Sequence, residues 1–209
     1  LRLVGSEMCI RDRITSDTGH ILINTGLEGS AAMIESNLKS LGLRMADIKI
    51  LLTTQAHFDH TADLALIKEQ TGAHLLATEA DKPFLEDGGL SDPLIGGIES
   101  FRPVTVDDVI TDGDLIELGD IRLSVLEHPG HTEGSASYAM TITESGNSYD
   151  VLVVNMAYIN EGVNVAIKPT YHGIAADFEK TFESQRKLSP DVWVSCLLYT
   201  SPSPRDVVP

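Results

Sequence analysis

The chain has 209 residues, 42% of them hydrophobic, enough apolar material for one domain with a packed core. Its formal net charge of −16 disfavours nucleic acid or an anionic membrane surface as a partner, because both repel an acidic protein. No apolar run is long enough to span a bilayer.

In chain order, residues 1–13 come first and show no period of 2 or 3.6. Residues 195–209 are similarly abrupt. The strings Met8-Cys9-Ile10-Arg11-Asp12-Arg13 and Leu197-Leu198-Tyr199-Thr200-Ser201-Pro202-Ser203-Pro204-Arg205-Asp206 resemble translated sequencing-adapter DNA. The expected domain is therefore 14–194, with 1–13 and 195–209 as non-native tails. Both cysteines, Cys9 and Cys196, lie in those tails, so cysteine says nothing about redox compartment.

Inside the domain, 20–24 reads as a strand closed by Thr25-Gly26. Residues 30–41 place Ala31, Met33, Ile34, Leu38 and Leu41 at helical spacing, with Ser30 as N-cap and Gly42 as stop. A buried strand at 48–52 is followed by a helix over 61–70 that ends at Gly72. A short strand at 74–77 and a short helix at 79–85 come next. Residues 88–103, rich in glycine, read as loop. Strand signals crowd at 115–118, 121–126, 136–143 and 151–155, with turns at Asp112-Gly113-Asp114 and Gly146-Asn147. A helix at 174–188 and a strand from 191 close the domain. This order suits two sheets packed face to face with helices outside.

Chemistry concentrates in Gln55-Ala56-His57-Phe58-Asp59-His60, between the strand at 48–52 and the helix after it. Two imidazoles, a carboxylate and an amide fall within one turn, the donor mixture zinc prefers. An extended segment would send Gln55, His57 and Asp59 the same way, with His60 beside them. The plainer alternative is a polar loop with Asp59 as N-cap. A second cluster, His128-Pro129-Gly130-His131-Thr132-Glu133-Gly134-Ser135, follows an apolar strand. Gly130 permits a tight turn and His131 stands at a strand end. His20 and His74 sit in strands as core-edge residues, and His128 shapes the turn.

Together the two clusters resemble the metallo-β-lactamase superfamily. The resemblance implies a mixed α/β fold, the four-layer αββα sandwich, incomplete at both ends and so exposing apolar surface and strand edges. It assigns Gln55, His57 and His131 to a first zinc site. Asp59 and His60 go to a second site, with Asp59 also acting catalytically by orienting the nucleophile. Gln55 together with Met156 narrows the resemblance to a minority variety of subclass B3. The third second-site histidine of that subclass aligns with Leu197, inside the expected tail, and His172 aligns with a non-ligand position. Asn155-Met156 stands where thioesterase and many lactonase relatives carry a bridging Asp, and no Asp occurs between Val151 and Glu161.

The implied activity is hydrolysis of a β-lactam amide by metal-bound hydroxide, with one or two Zn2+ ions. A lactone or thioester hydrolase, or a fragment inactive as written, are the alternatives. The resemblance also implies a small-molecule β-lactam substrate, no nucleic-acid or membrane partner, a monomer, and a periplasmic or secreted location.

Overall fold

The computed structural model describes residues 2–6 and 9–195. One sheet has six strands in the order β1 (Arg2–Ser6), β2 (Cys9–Ser16), β3 (Gly19–Ile23), β4 (Ile48–Leu52), β5 (His74–Thr78) and β6 (Asp108–Ile110). The first three strands pair antiparallel, and β3 to β6 pair parallel. The second sheet holds β7 (Leu115–Leu118), β8 (Ile121–Glu127), β9 (Ala136–Glu144), β10 (Asn147–Val154) and β11 (Val192–Ser195), in the order β11-β10-β9-β8-β7. Its strands are antiparallel apart from the parallel β10–β11 pair.

Period-2 alternation explains the layering. On β3, Ile21 and Ile23 face the second sheet, where Ile121, Leu123, Val125, Tyr138, Val151 and Val153 complete one core. Leu22 points the other way, with Leu51 and Leu75, into a second core. That core is closed by α1 (Ser30–Ser40) through Ile34 and Leu38, and by α3 (Leu64–Thr71) through Leu64 and Ile67. The central strands are thus buried on both faces, as parallel strands are. Each fully buried Leu or Ile contributes roughly 1.5–3 kcal/mol. Helix α5 (Ile174–Gln185) packs outside the second sheet, burying Ile174, Phe178 and Thr181. The layers run helix, sheet, sheet, helix, the expected sandwich. Beside α5 the outer face of the second sheet carries a groove of about 490 Å³, lined by Ser124, Ala139, Thr141 and Leu152 among others.

Some local expectations need correction. Ser30 does not cap α1; it is the first helical residue, and Gly29 at φ 83° is the cap. The free amides of that helix end are met from afar, because the Asp63 carboxylate accepts from Gly29 N–H (3.3 Å) and Ala31 N–H (2.6 Å). The single helix expected over 61–70 is two, α2 (Phe58–Thr61) and α3, broken at Asp63. The helix expected at 79–85 is α4 (Lys82–Asp87). Strand β6 is only three residues long, and the pair Asp107-Asp108 interrupts the apolar residues around it, so the sequence pattern does not signal it. Residues 2–6 and 9–13, expected as tail, are placed in strands β1 and β2, with Asp12–Ser16 of β2 in register against β3. The tail expected after Val194 begins with Ser195 in β11; its remainder, 196–209, lies outside the described residues.

Candidate metal centre

The site forms where two loops meet at the edge of the sandwich. The first runs from the end of β4 through α2, and the second joins β8 to β9. The first loop is not extended throughout as expected: His57 has extended backbone, but Asp59 and His60 lie in the helical turn that follows. That turn carries Gln55 against His60. The second loop is pinned by two glycines. A Cβ on Gly130, at φ 127°, would meet the Phe178 ring at 2.8 Å, and one on Gly134 would meet Thr78 Oγ1 at 2.2 Å.

Asp81 ties the loops together from beneath. Its buried carboxylate accepts from Thr132 Oγ1 and Gly134 N–H, each at 3.0 Å, and from the Ala56 amide. Burial nonetheless pushes its pKa up to about 6. Asn24 anchors the end of β4. It sits at φ 61°, accepts from Thr54 N–H (2.8 Å) and donates Nδ2–H to Thr54 Oγ1 (3.2 Å).

His57 and His131 each have one ring nitrogen engaged, and His60 has both. His60 Nδ1 lies 3.2 Å from Thr54 Oγ1. His131 Nδ1 donates to the Tyr158 carbonyl at 2.7 Å. His57 Nε2 lies 3.2 Å from Asp92 Oδ2, with both side chains buried. His131 Nε2 and His57 Nδ1 are left for a cation, the arrangement by which outer partners fix a ligand's tautomer, while His60 Nε2 faces the Gln55 amide. Burial, reinforced by charge from the other histidines, holds His60 well below the usual imidazole range. Burial and the neighbouring His57 lower His131 to about 4. Both are therefore neutral at pH 7, as metal ligation requires.

Gln55 shows the strongest mark of a missing counterpart. Its side-chain nitrogen lies 2.5 Å from His60 Nε2, and its Oε1 is buried without a hydrogen-bond partner among the described residues. That unmatched oxygen costs about 1–3 kcal/mol, which a cation would relieve. The His57 and His131 rings meet edge to face at 4.9 Å. Asp59 Oδ2 lies 3.9 Å from His60 Nε2, and burial raises the Asp59 pKa. The expected residues thus meet in two groups, Gln55 and Asp59 against His60, and His57 against His131. As they stand, no three His, Cys, Asp or Glu side chains among the described residues converge as a metal-binding group. The third donor of the first set is the Gln55 amide, and His57 Nε2 is turned to Asp92. This donor set fits zinc: neutral imidazoles, a carboxylate and an unpaired amide oxygen.

His172 is exposed. His128 is buried and structural, bonded to Ser137 Oγ (2.7 Å) and Ser184 Oγ (3.0 Å), with its pKa lowered by burial to about 4. His20 is buried and His74 exposed on the first sheet. Met156 is 53% exposed rather than packed. Leu197 lies outside the described residues.

Sequence reasoning missed Asp81, Asp92, Thr54, Asn24 and the Tyr158 carbonyl. Only Asp92 carried a signal, as the Asp of Ser91-Asp92-Pro93, a turn-initiating string.

The family description "Metallo-beta-lactamase superfamily" matches residues 13–143. A class B3 di-zinc metallo-β-lactamase, LRA-12, from an Alaskan soil metagenome superposes with TM-score 0.84 at 43% identity, covering 89% of this chain and 71% of that one. A β-lactamase from Chitinophaga pinensis superposes with TM-score 0.86 at 38% identity and the same coverage. By sequence, a hydroxyacylglutathione hydrolase of Mesorhizobium japonicum is 26% identical over 144 residues, covering 66% of this chain and 49% of its own length. The chain thus spans about half the length of several curated relatives it matches. With the sandwich, the two loops and the family match in agreement, the chain belongs to the metallo-β-lactamase superfamily of hydrolases.

Proposed function

We propose that this protein is a zinc-dependent β-lactamase of the B3 kind, with Gln55, His57 and His131 holding one ion and Asp59 and His60 contributing to a second. The buried, unpaired Gln55 oxygen beside neutral imidazoles carries the metal reading. When bound, zinc supplies a Lewis acid and brings a water's pKa towards neutrality. Tyr158 keeps His131 in the tautomer that presents Nε2, and Thr54 Oγ1 orients the His60 ring. Asp59, partly open to solvent, would serve as a second-site ligand and orient the attacking water. Loops 88–103 and 155–173 flank His57 and His131, with Leu94, Val163 and Tyr171 lining a shared pocket that limits water access.

The curated relatives favour a second reading, hydrolysis of a thioester. Asn155 and Met156 weigh against it. Asn155 is 3% exposed, its amide bonded to Ser137 Oγ and its carbonyl to Gln185, and neither it nor Met156 offers a bridging carboxylate. The higher identity to β-lactamases points the same way. Among the described residues no helix is long and apolar enough to cross a membrane. A periplasmic or secreted monomer is part of the proposal. Parallel assays with a chromogenic cephalosporin and a glutathione thioester test the choice. Cephalosporin turnover above thioester turnover is expected, and the reverse order would refute it.

A further inference from the structure

Loop 88–103 is tied to the candidate metal centre by one side chain. Asp92 Oδ1 accepts from the amides of Leu94 and Ile95, each at 2.8 Å, and so caps a turn continued by Gly96 N–H to the Asp92 carbonyl at 3.0 Å. The other oxygen, Oδ2, faces His57 Nε2 at 3.2 Å. The Asp92 side chain is 6% exposed and that of His57 5%. The ends of the loop are held separately, because Asp87 accepts from the Leu90 and Ser91 amides, Phe101 N–H donates to the Gly88 carbonyl and Arg102 pairs with Glu69, while its middle is held by turns within the loop. Ile98 and Leu90 stand 78% and 62% exposed, and the chain here has no strand or helix.

We infer that Asp92 is a positioning residue that couples metal binding at His57 to the order of the loop over the site. Its carboxylate receives the His57 Nε2 proton, fixes the ring and leaves Nδ1 for the ion. A fixed His57 in turn holds Asp92 where it caps the turn at Leu94 and Ile95. Coupling of this kind is reciprocal: whatever the loop does to zinc affinity, zinc does to the loop. The inference rests on His57 being a metal ligand, and not on the β-lactam substrate.

The variant Asp92→Asn separates the two halves of the contact. Its oxygen still accepts the Leu94 and Ile95 amides, but its NH2 offers His57 a donor where an acceptor is needed. Zinc affinity is measured by competition with a chromophoric chelator, and amide exchange is followed at 92–98 with and without zinc. In the wild type zinc slows exchange at Leu94 and Ile95. In D92N zinc affinity falls 10- to 100-fold, metal-free exchange is unchanged, and the zinc-dependent slowing disappears. In D92A exchange is fast in both states. In a His57→Ala background D92N costs no further zinc affinity, because its effect passes through His57. Wild-type affinity in D92N, a loop indifferent to zinc in the wild type, or additive losses in the double variant would each overturn the inference. Zinc uptake without cephalosporin turnover would sink the β-lactamase reading and leave this one standing; a wild-type chain that takes up no zinc overturns both.

Discussion

His60 and His131 reach the same site from opposite kinds of backing. His60 is 1% exposed, and its Nδ1 rests on Thr54, itself locked to Asn24 at the end of β4. Asn24 and Thr54 lie just past the ends of two central strands buried on both faces, and opening those strands costs a large part of the global stability. His131 is only half-buried, and its Nδ1 depends on a carbonyl of the exposed residue Tyr158 in loop 155–173. His57 depends similarly on Asp92 in loop 88–103. One side of the centre is therefore built into the core, and the other is held by loops that also form its rim. Precision comes from the first side and adaptability from the second.

The largest effect should come from a ligand on the rim side. His131→Ala removes a donor from the first set, and cephalosporin hydrolysis should fall by at least about 100-fold, in line with the several kcal/mol a catalytic metal supplies. Steady-state rates at fixed zinc measure it, and a loss under tenfold would remove His131 from the set. On the core side, Thr54→Val takes away the hydroxyl facing His60 Nδ1 and should lower zinc affinity about 10- to 100-fold while the rim loops keep their hydrogen-exchange rates. Equal loss of loop protection would show that the two sides are not separable.

Gly134→Ala tests the join between them. Its Cβ would lie 2.4 Å from Asp81 N as well as against Thr78, and overpacking of this kind costs roughly 1–3 kcal/mol, read as a lower denaturant midpoint.

A smaller, pH-dependent effect belongs to His128. Its folded pKa of about 4 lies below the unfolded value near 6.5, so the folded state binds its proton less readily. The stability this provides is complete above pH 6.5 and is lost as pH falls towards 4, by up to about 3 kcal/mol. In metal-free protein, His128→Gln should flatten that part of the stability profile, and an unchanged slope would exclude His128 as its source.

Much of this was legible in the residues. The strand at 48–52, the glycine stops at 42 and 72, and the clustering of Gln55, His57, Asp59, His60 and His131 follow from apolar period and donor chemistry. What escaped depended on contacts distant in sequence. Asp63 caps α1 from more than thirty positions away, so Ser30 looked like the cap. Asp81 and Asp92 read as ordinary acidic residues, because a carboxylate's role is set by what folds over it. Strand β6 is held by pairing with β5 rather than by its own pattern.

The central claim is that this donor set works through bound zinc. The most direct test follows cephalosporin hydrolysis in one sample before chelation, after chelation and after zinc is restored. Activity that disappears with the chelator and returns with zinc is the predicted result. Hydrolysis that persists in fully metal-stripped protein would contradict it.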